Sequence, residues 1–194
     1  MKITRILGAV MALTLSAAPV FGFANAVTKK MITVQITAEA AKSGKWMQSG
    51  DKWWYRHDDG SYTKGDWELI GGKWYYFDYQ GWMKTGKIEV NKKYYILGSD
   101  GAMLTGWVKT IEAWHYCQPG SGECLTEWRY INGSMYYFNA FGQMRAGLSQ
   151  IRGKWYYLED RVPECDKDYG KMRTGLIRLN GKTYYADSNG VIKR

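Results

Sequence analysis

Gly71-Gly-Lys-Trp-Tyr-Tyr-Phe-Asp-Tyr-Gln-Gly-Trp-Met-Lys-Thr-Gly86 is the stretch on which the fold turns. Four aromatic residues in a row form a strong β-strand former, and Gly and Asp bound it with turn chemistry. The chain then passes through Gly81 to a short second extended segment, so the stretch is expected to be a β-hairpin with glycine supplying positive φ. Its ending recurs as Gly60-Ser-Tyr-Thr-Lys-Gly65, Gly101-Ala-Met-Leu-Thr-Gly106, Gly122-Glu-Cys-Leu-Thr-Glu127, Gly142-Gln-Met-Arg-Ala-Gly147 and Gly170-Lys-Met-Arg-Thr-Gly175, with a truncated copy from Gly190. The leading glycines are 21, 20, 21, 20, 28 and 20 residues apart, the one long interval holding an eight-residue insertion around Glu159 to Tyr169. An aromatic strand precedes each, from Trp53-Trp54-Tyr55 to Thr183-Tyr184-Tyr185. A hairpin of some twenty residues is marginal alone and must bury its rings on its neighbour, so residues 44–194 are expected to form an all-β solenoid of seven stacked hairpins.

The composition agrees. Among 194 residues are 10 Trp, 16 Tyr, 5 Phe and 23 Gly, so aromatic rings take the place of an aliphatic core. The net charge of +9 favours polyanionic partners without choosing among them. Residues 1–26 are expected to be a secretory signal: a basic start with Lys2 and Arg5, an apolar run from Ile6 to Phe23, and the small-residue site Ala24-Asn25-Ala26. Its removal would leave +7 on the remaining 168 residues. Residues 27–43 fit a linker or a short N-terminal strand. No later segment is apolar enough to span a bilayer, and the C-terminus carries no sorting motif, so attachment to a surface is expected to be non-covalent.

The units, above all Trp67-Glu-Leu-Ile-Gly-Gly-Lys-Trp-Tyr-Tyr-Phe77 with its Gly-x-Met-x-Thr-Gly ending, resemble the choline-binding or cell-wall-binding repeats of Gram-positive surface proteins. The resemblance implies a left-handed solenoid with choline held between consecutive repeats by two Trp of one unit and a Tyr of the next. Cation–ring chemistry suits that ligand, because a quaternary ammonium donates no hydrogen bond and gains most from the electron-rich faces of several rings. Carried onto this sequence, the pattern implies three choline cages: Trp46, Trp53 and Tyr75; Trp67, Trp74 and Tyr95, with Met83 as an apolar wall; and Trp107, Trp114 and Tyr136. Trp128 with Tyr156 and Trp155 with Tyr184 are weaker candidates, since Met135 and Leu148 replace their second and first Trp. Lys87 and His115 interrupt the pattern around Tyr94, where a cage is expected to be weak or absent. Tyr76, Tyr137 and Phe138 are expected to be packing residues.

In an exported chain, Cys117 and Cys124 would face each other across Gln118-Pro-Gly-Ser-Gly-Glu123 and are expected to form a disulfide, worth about 2 to 3 kcal/mol by loop entropy. Cys165 in the insertion is left free, paired to another chain, or competing for Cys124. His57, His115 and the cysteines lack zinc spacing, Asp58-Asp59 suits a turn, and no catalytic motif, metal or cofactor is expected. The expected function is therefore that of a non-catalytic, secreted protein bound to choline on teichoic or lipoteichoic acid at the cell surface, with neither nucleic acid nor a membrane span involved. Alternatives are a glycan- or glucan-binding repeat protein, since Trp and Tyr also stack on sugars, and an adhesin that uses the repeats as its anchor. Oligomeric state is left open.

Overall fold

The computed structural model describes residues 42–164 and 166–193, and their regular structure is entirely β. Seven antiparallel hairpins follow one another: β1 (Gly44–Ser49) with β2 (Lys52–His57), β3 (Asp66–Ile70) with β4 (Lys73–Phe77), β5 (Gly86–Val90) with β6 (Lys93–Leu97), and β7 (Gly106–Lys109) with β8 (Trp114–Cys117). β9 (Glu127–Ile131) with β10 (Ser134–Phe138), β11 (Gly147–Ile151) with β12 (Lys154–Leu158), and β13 (Gly175–Leu179) with β14 (Lys182–Ala186) complete the series. β15 (Ile192–Lys193) adds a third strand to the last hairpin. The expected signal, and the linker up to residue 41, lie outside the described residues.

The hairpins differ from the expectation in where they turn. The aromatic strand pairs with the segment before it, not with the one after Gly81, which is reduced to a single bridge between Phe77 and Met83. Gly71 and Gly72 explain the choice: with φ of 57° and 80° they make a two-residue turn of the kind whose twist matches a β-ladder. The Gly81 turn does a different job. Asp78 Oδ1 accepts from the backbone N–H groups of Gln80 (3.1 Å) and Trp82 (2.9 Å), coiling the chain out of one hairpin and toward the next.

Strand alternation gives every hairpin two faces. On β4, Tyr75 and Phe77 are buried on one face, while Trp74 and Tyr76 lie on the other beside Trp67, which pairs with Tyr76. The last residue of the second strand sits deepest: Phe77, Leu97, Cys117, Phe138, Leu158 and Ala186 are each at most 2% exposed. Between hairpins the backbone contributes one recurring bond, from the residue two after the turn glycine back to the preceding hairpin: Met83 N to Trp53 O, Met103 N to Trp74 O, Cys124 N to Tyr94 O, Met144 N to Trp114 O and Met172 N to Met135 O, at 2.7–2.8 Å. Side-chain packing must supply the rest of the cohesion.

One packing rule explains the regular glycine. Gly101 has φ of 80°, and a Cβ placed there would lie 2.3 Å from Met83 Sδ, so the methionine of one unit rests on the bare turn of the next. Gly122, Gly170 and Gly190 receive Met103, Met144 and Met172 in the same way. The insertion preserves this scheme. Glu159 N donates to Lys171 O (2.8 Å) and Gly170 N to Glu159 O (2.7 Å), closing the loop as Asp78 does with Trp82 and Gly81. Glu159, 3% exposed, is held by Arg161 at 3.0 Å and Arg173 at 3.5 Å.

Candidate functional site

The forward face of each hairpin meets the back face of the next, and three of these junctions bring together two tryptophans and a tyrosine. At the first, the Trp46 and Tyr75 ring centroids are 4.9 Å apart, with the ring planes inclined at 66°. Trp53 pairs with Gln48, two residues along from Trp46, which puts both tryptophans on one face. Trp67 and Tyr95 repeat the 4.9 Å contact at the second junction, with Trp74 on the same face as Trp67. Trp107 and Tyr136 repeat it at the fourth, where Trp114 lies 6.4 Å from Trp107.

The two tryptophans of a set are not equivalent. The first is clamped edge-on between the tyrosine of its own hairpin and that of the next: Trp67 lies 5.2 Å from Tyr76 and 4.9 Å from Tyr95. Trp46 lies in the same way between Tyr55 (5.3 Å) and Tyr75, and Trp107 between Tyr116 (5.2 Å) and Tyr136. In the first set the second tryptophan stands at the rim, Trp53 being 39% exposed, whereas at the fourth junction Trp107 is 36% exposed and Trp114 half-buried. Burial raises the pKa of the Tyr95 and Tyr136 phenols, so both stay neutral, electron-rich rings.

Met83 is the correction here. The sequence placed it as the wall of the Trp67–Trp74–Tyr95 set, but its N–H bonds to Trp53 O and its side chain packs on the same buried cluster, with Tyr55, Tyr75 and Phe77, that Trp46 packs on, which places it at the first junction. Met103, bonded to Trp74 O and lining the same groove as Trp74, takes that place at the second. The cause is the coil after each hairpin, which carries the methionine back one layer. Met144 does the same at the fourth junction, where Trp107, Trp114, Tyr136 and Met144 border a cavity of about 460 Å³. Tyr169, Glu164, Asp166 and Lys171 of the sixth unit close its far side, and Lys109 is ion-paired with Glu164. Sequence reasoning missed Met103, Met144 and Tyr169. The Gly-x-Met spacing was a signal for the methionines, but nothing local assigned them to the previous layer.

The remaining junctions depart as their sequences do. Trp128 and Tyr156 meet at 4.7 Å with Met135 in the second position. Leu148, Trp155, Tyr184 and Ile192 border a cavity of about 330 Å³ at the last junction. At the third, Lys87 and Tyr94 hold the two Trp positions, and His115, 0% exposed, holds the Tyr position. Tyr76 and Tyr137 pack against Trp67 and Trp128, and Phe138 is fully buried, as expected of packing residues.

Cys117 and Cys124 form the expected disulfide, with Cα atoms 3.7 Å apart. Its place in the fold is informative: the pair bridges where Phe77 meets Met83 and Leu97 meets Met103, so the bond replaces an apolar cross-strand contact of the other units. Cys165 lies outside the described residues. Asp59 Oδ1 accepts from Ser61 N (2.8 Å) and Oγ (2.6 Å), which is turn chemistry. His57 Nε2 meets Glu68 at 2.7 Å between the first two hairpins, a buried structural pair.

The family described as "Putative cell wall binding repeat" matches residues 65–83, 126–144, 150–160 and 174–192. Choline binding protein F from Streptococcus pneumoniae, in its second crystal form, is 33% identical with a TM-score of 0.65, over 78% of this chain and 52% of that one. CbpF in complex with ipratropium matches at 31% identity and a TM-score of 0.64, over 78% and 54%. The modular autolysin LytC from Streptococcus pneumoniae matches at 29% and 0.56, over 78% and 33%. The chain thus spans about half the length of the CbpF structures. No curated protein matches it. Hairpins stacked through aromatic junctions, the repeat match and the likeness to choline binding protein F agree, and the chain belongs to the family of choline-binding, cell-wall-binding repeat proteins.

Proposed function

We propose that this chain is a non-catalytic, secreted binding protein that holds choline in the three complete ring sets and thereby attaches, non-covalently, to phosphocholine on teichoic or lipoteichoic acid. The observation that carries this reading is the threefold recurrence of one geometry: a Trp and the next hairpin's Tyr in edge contact at 4.9 Å, a second Trp on the same face, and a methionine wall. Such a set offers several ring faces at one place, which suits a cation that cannot donate hydrogen bonds. Ipratropium, bound by CbpF, is a quaternary ammonium as choline is.

A cation over a ring gains roughly 0.5 to 2 kcal/mol, so three rings give a dissociation constant near the millimolar range. One such site holds nothing to a wall. Several on one solenoid facing a repeating polymer raise avidity by about 10² to 10⁴. The positive charge of the chain adds attraction to the polymer's phosphates.

A second reading, glycan binding, is favoured by the fourth junction alone, where Asn132, Glu164, Asp166 and Lys171 bring hydrogen-bonding groups to the edge of the Trp107 and Trp114 rings. Calorimetric titration with choline and with a glucan oligomer separates the two. Three sites per chain for choline, with elution from immobilised choline by the free ligand, is the expected result. Stabilisation by the glucan alone would refute the choline reading.

A further inference from the structure

The third junction is not an empty defect in the series. Lys87 stands where the other units place their first tryptophan, pairing with Ile96 as Trp67 pairs with Tyr76. Its side chain is half-buried and lies along neighbouring rings. The ammonium nitrogen lies 4.8 Å from the centroid of the Tyr94 ring, which occupies the second Trp position, and 5.8 Å from that of Phe141. The two rings are 6.2 Å apart and tilted by 60°, and the cation lies over both from one side. Phe141 belongs to the turn two hairpins further on, immediately before Gly142. Tyr169 precedes Gly170 in the same way and borders the fourth-junction cavity, so Phe141 holds at the third junction the position that Tyr169 holds at the fourth.

Among the described residues no carboxylate is ion-paired with Lys87 within 4.0 Å, so an acidic partner does not explain its place over the rings. The rest of the junction has changed in step. His115 replaces the tyrosine and is fully buried, and Cys124, whose N–H bonds to Tyr94 O, replaces the methionine wall and is tied to Cys117. Burial, and next the nearby Lys87, depress the pKa of the His115 imidazole, so it faces Lys87 as a neutral ring.

We propose that the Lys87 ammonium is a tethered occupant of the third junction, standing where the neighbouring junctions would hold a free quaternary ammonium, and that the rings around it form a latent alkylammonium site which the wild-type chain keeps closed. The comparison with the other junctions rests on the choline reading above; the tethered cation rests on the ring distances. A group on a short flexible tether has an effective concentration in the millimolar range or above, which matches or exceeds the millimolar dissociation constant of a ring cage. Free choline at millimolar levels therefore does not displace Lys87. The junction stays closed without ligand, and it joins the second complete ring set to the fourth-junction one across the disulfide-bearing hairpin.

The test uses the full chain and three substitutions, Lys87→Met, Lys87→Ala and Lys87→Arg. Lys87→Met keeps the length of the side chain and removes its charge, and Lys87→Ala empties the pocket. In the wild type, the Lys87 ε-protons should show upfield NMR shifts from the flanking rings. Lys87→Met should melt lower than wild type and Lys87→Arg close to it. For Lys87→Ala, butylammonium and tetramethylammonium should each raise the melting temperature beyond a sodium chloride control of equal ionic strength, and titration should count one more tetramethylammonium site than in wild type. Random-coil ε-proton shifts, or a Lys87→Met protein as stable as wild type, would overturn the tethered cation. If Lys87→Ala fails to fold, the NMR shifts and the Lys87→Met melting temperature still decide. Should the wild type bind no tetramethylammonium while Lys87 shows its ring shifts, the choline reading fails and the tethered cation stands.

Discussion

Replacing each tryptophan of the second ring set by alanine should have opposite consequences. Trp67 is clamped edge-on between Tyr76 at 5.2 Å and Tyr95 at 4.9 Å, so it holds two hairpins together. Each edge-to-face pair is worth about 0.5 to 1.5 kcal/mol beyond area, and truncating a packed tryptophan costs about 3 to 5 kcal/mol in all. For a domain of this size that lowers the melting temperature by about 2 to 4 °C per kcal/mol, or roughly 6 to 20 °C. Trp74 has no aromatic neighbour in pairing contact among the described residues, and its inter-hairpin bond to Met103 runs through the backbone. Trp74→Ala should therefore cost about 1 kcal/mol or less in stability. It removes one ring face from the ligand, weakening that site by about 2- to 30-fold. Melting followed by circular dichroism without choline, and calorimetric titration of still-folded protein with choline, read the two effects separately. If Trp74→Ala melted as low as Trp67→Ala and bound choline with unchanged stoichiometry and affinity, the division between clamped and ligand-facing tryptophans would be wrong.

Three further outcomes follow from the packing. Cys117→Ser with Cys124→Ser should lose about 2 to 3 kcal/mol, whereas Cys117→Leu with Cys124→Met should recover most of it, since Leu97 and Met103 make that contact in the preceding unit; chemical denaturation measures both. Gly101→Ala should destabilise by about 1 to 2 kcal/mol, because its φ of 80° disfavours a side chain and its Cβ would meet Met83 Sδ, and Met83→Ala with Gly101→Ala should relieve only the steric part. Hydrogen bonds from Arg161 hold the Glu159 carboxyl down to about 2 against an ordinary 4.5, outweighing its burial. The stabilisation is thus complete above pH 4.5 and is lost as pH falls toward 2, on the order of 2 to 3 kcal/mol, and Glu159→Gln should flatten the acid limb of the melting profile while lowering its neutral plateau.

The sequence alone determined the all-β hairpin series, the insertion and the Cys117–Cys124 bond, because strand propensity, turn glycines and a short loop between cysteines are local properties. It also matched the first and second Trp of three units with the Tyr of the next, since residues spaced by one strand period and one repeat recur regardless of shape. It misplaced the hairpin turn, because Gly71-Gly72 and the Gly81 motif both read as turns and only the completed ladder shows which one the strands share. Tertiary structure alone assigned Met83 to Trp53 and Met103 to Trp74, a step back of one layer that depends on how far the coil after each hairpin travels. It also decided the direction of Lys87. From sequence, a lysine in a tryptophan position turns to solvent or repels a cation; in the fold, Phe141 arrives from two hairpins away and with Tyr94 gives the ammonium two rings to lie over, a contact with Phe141 that no residue near Lys87 in the chain could supply.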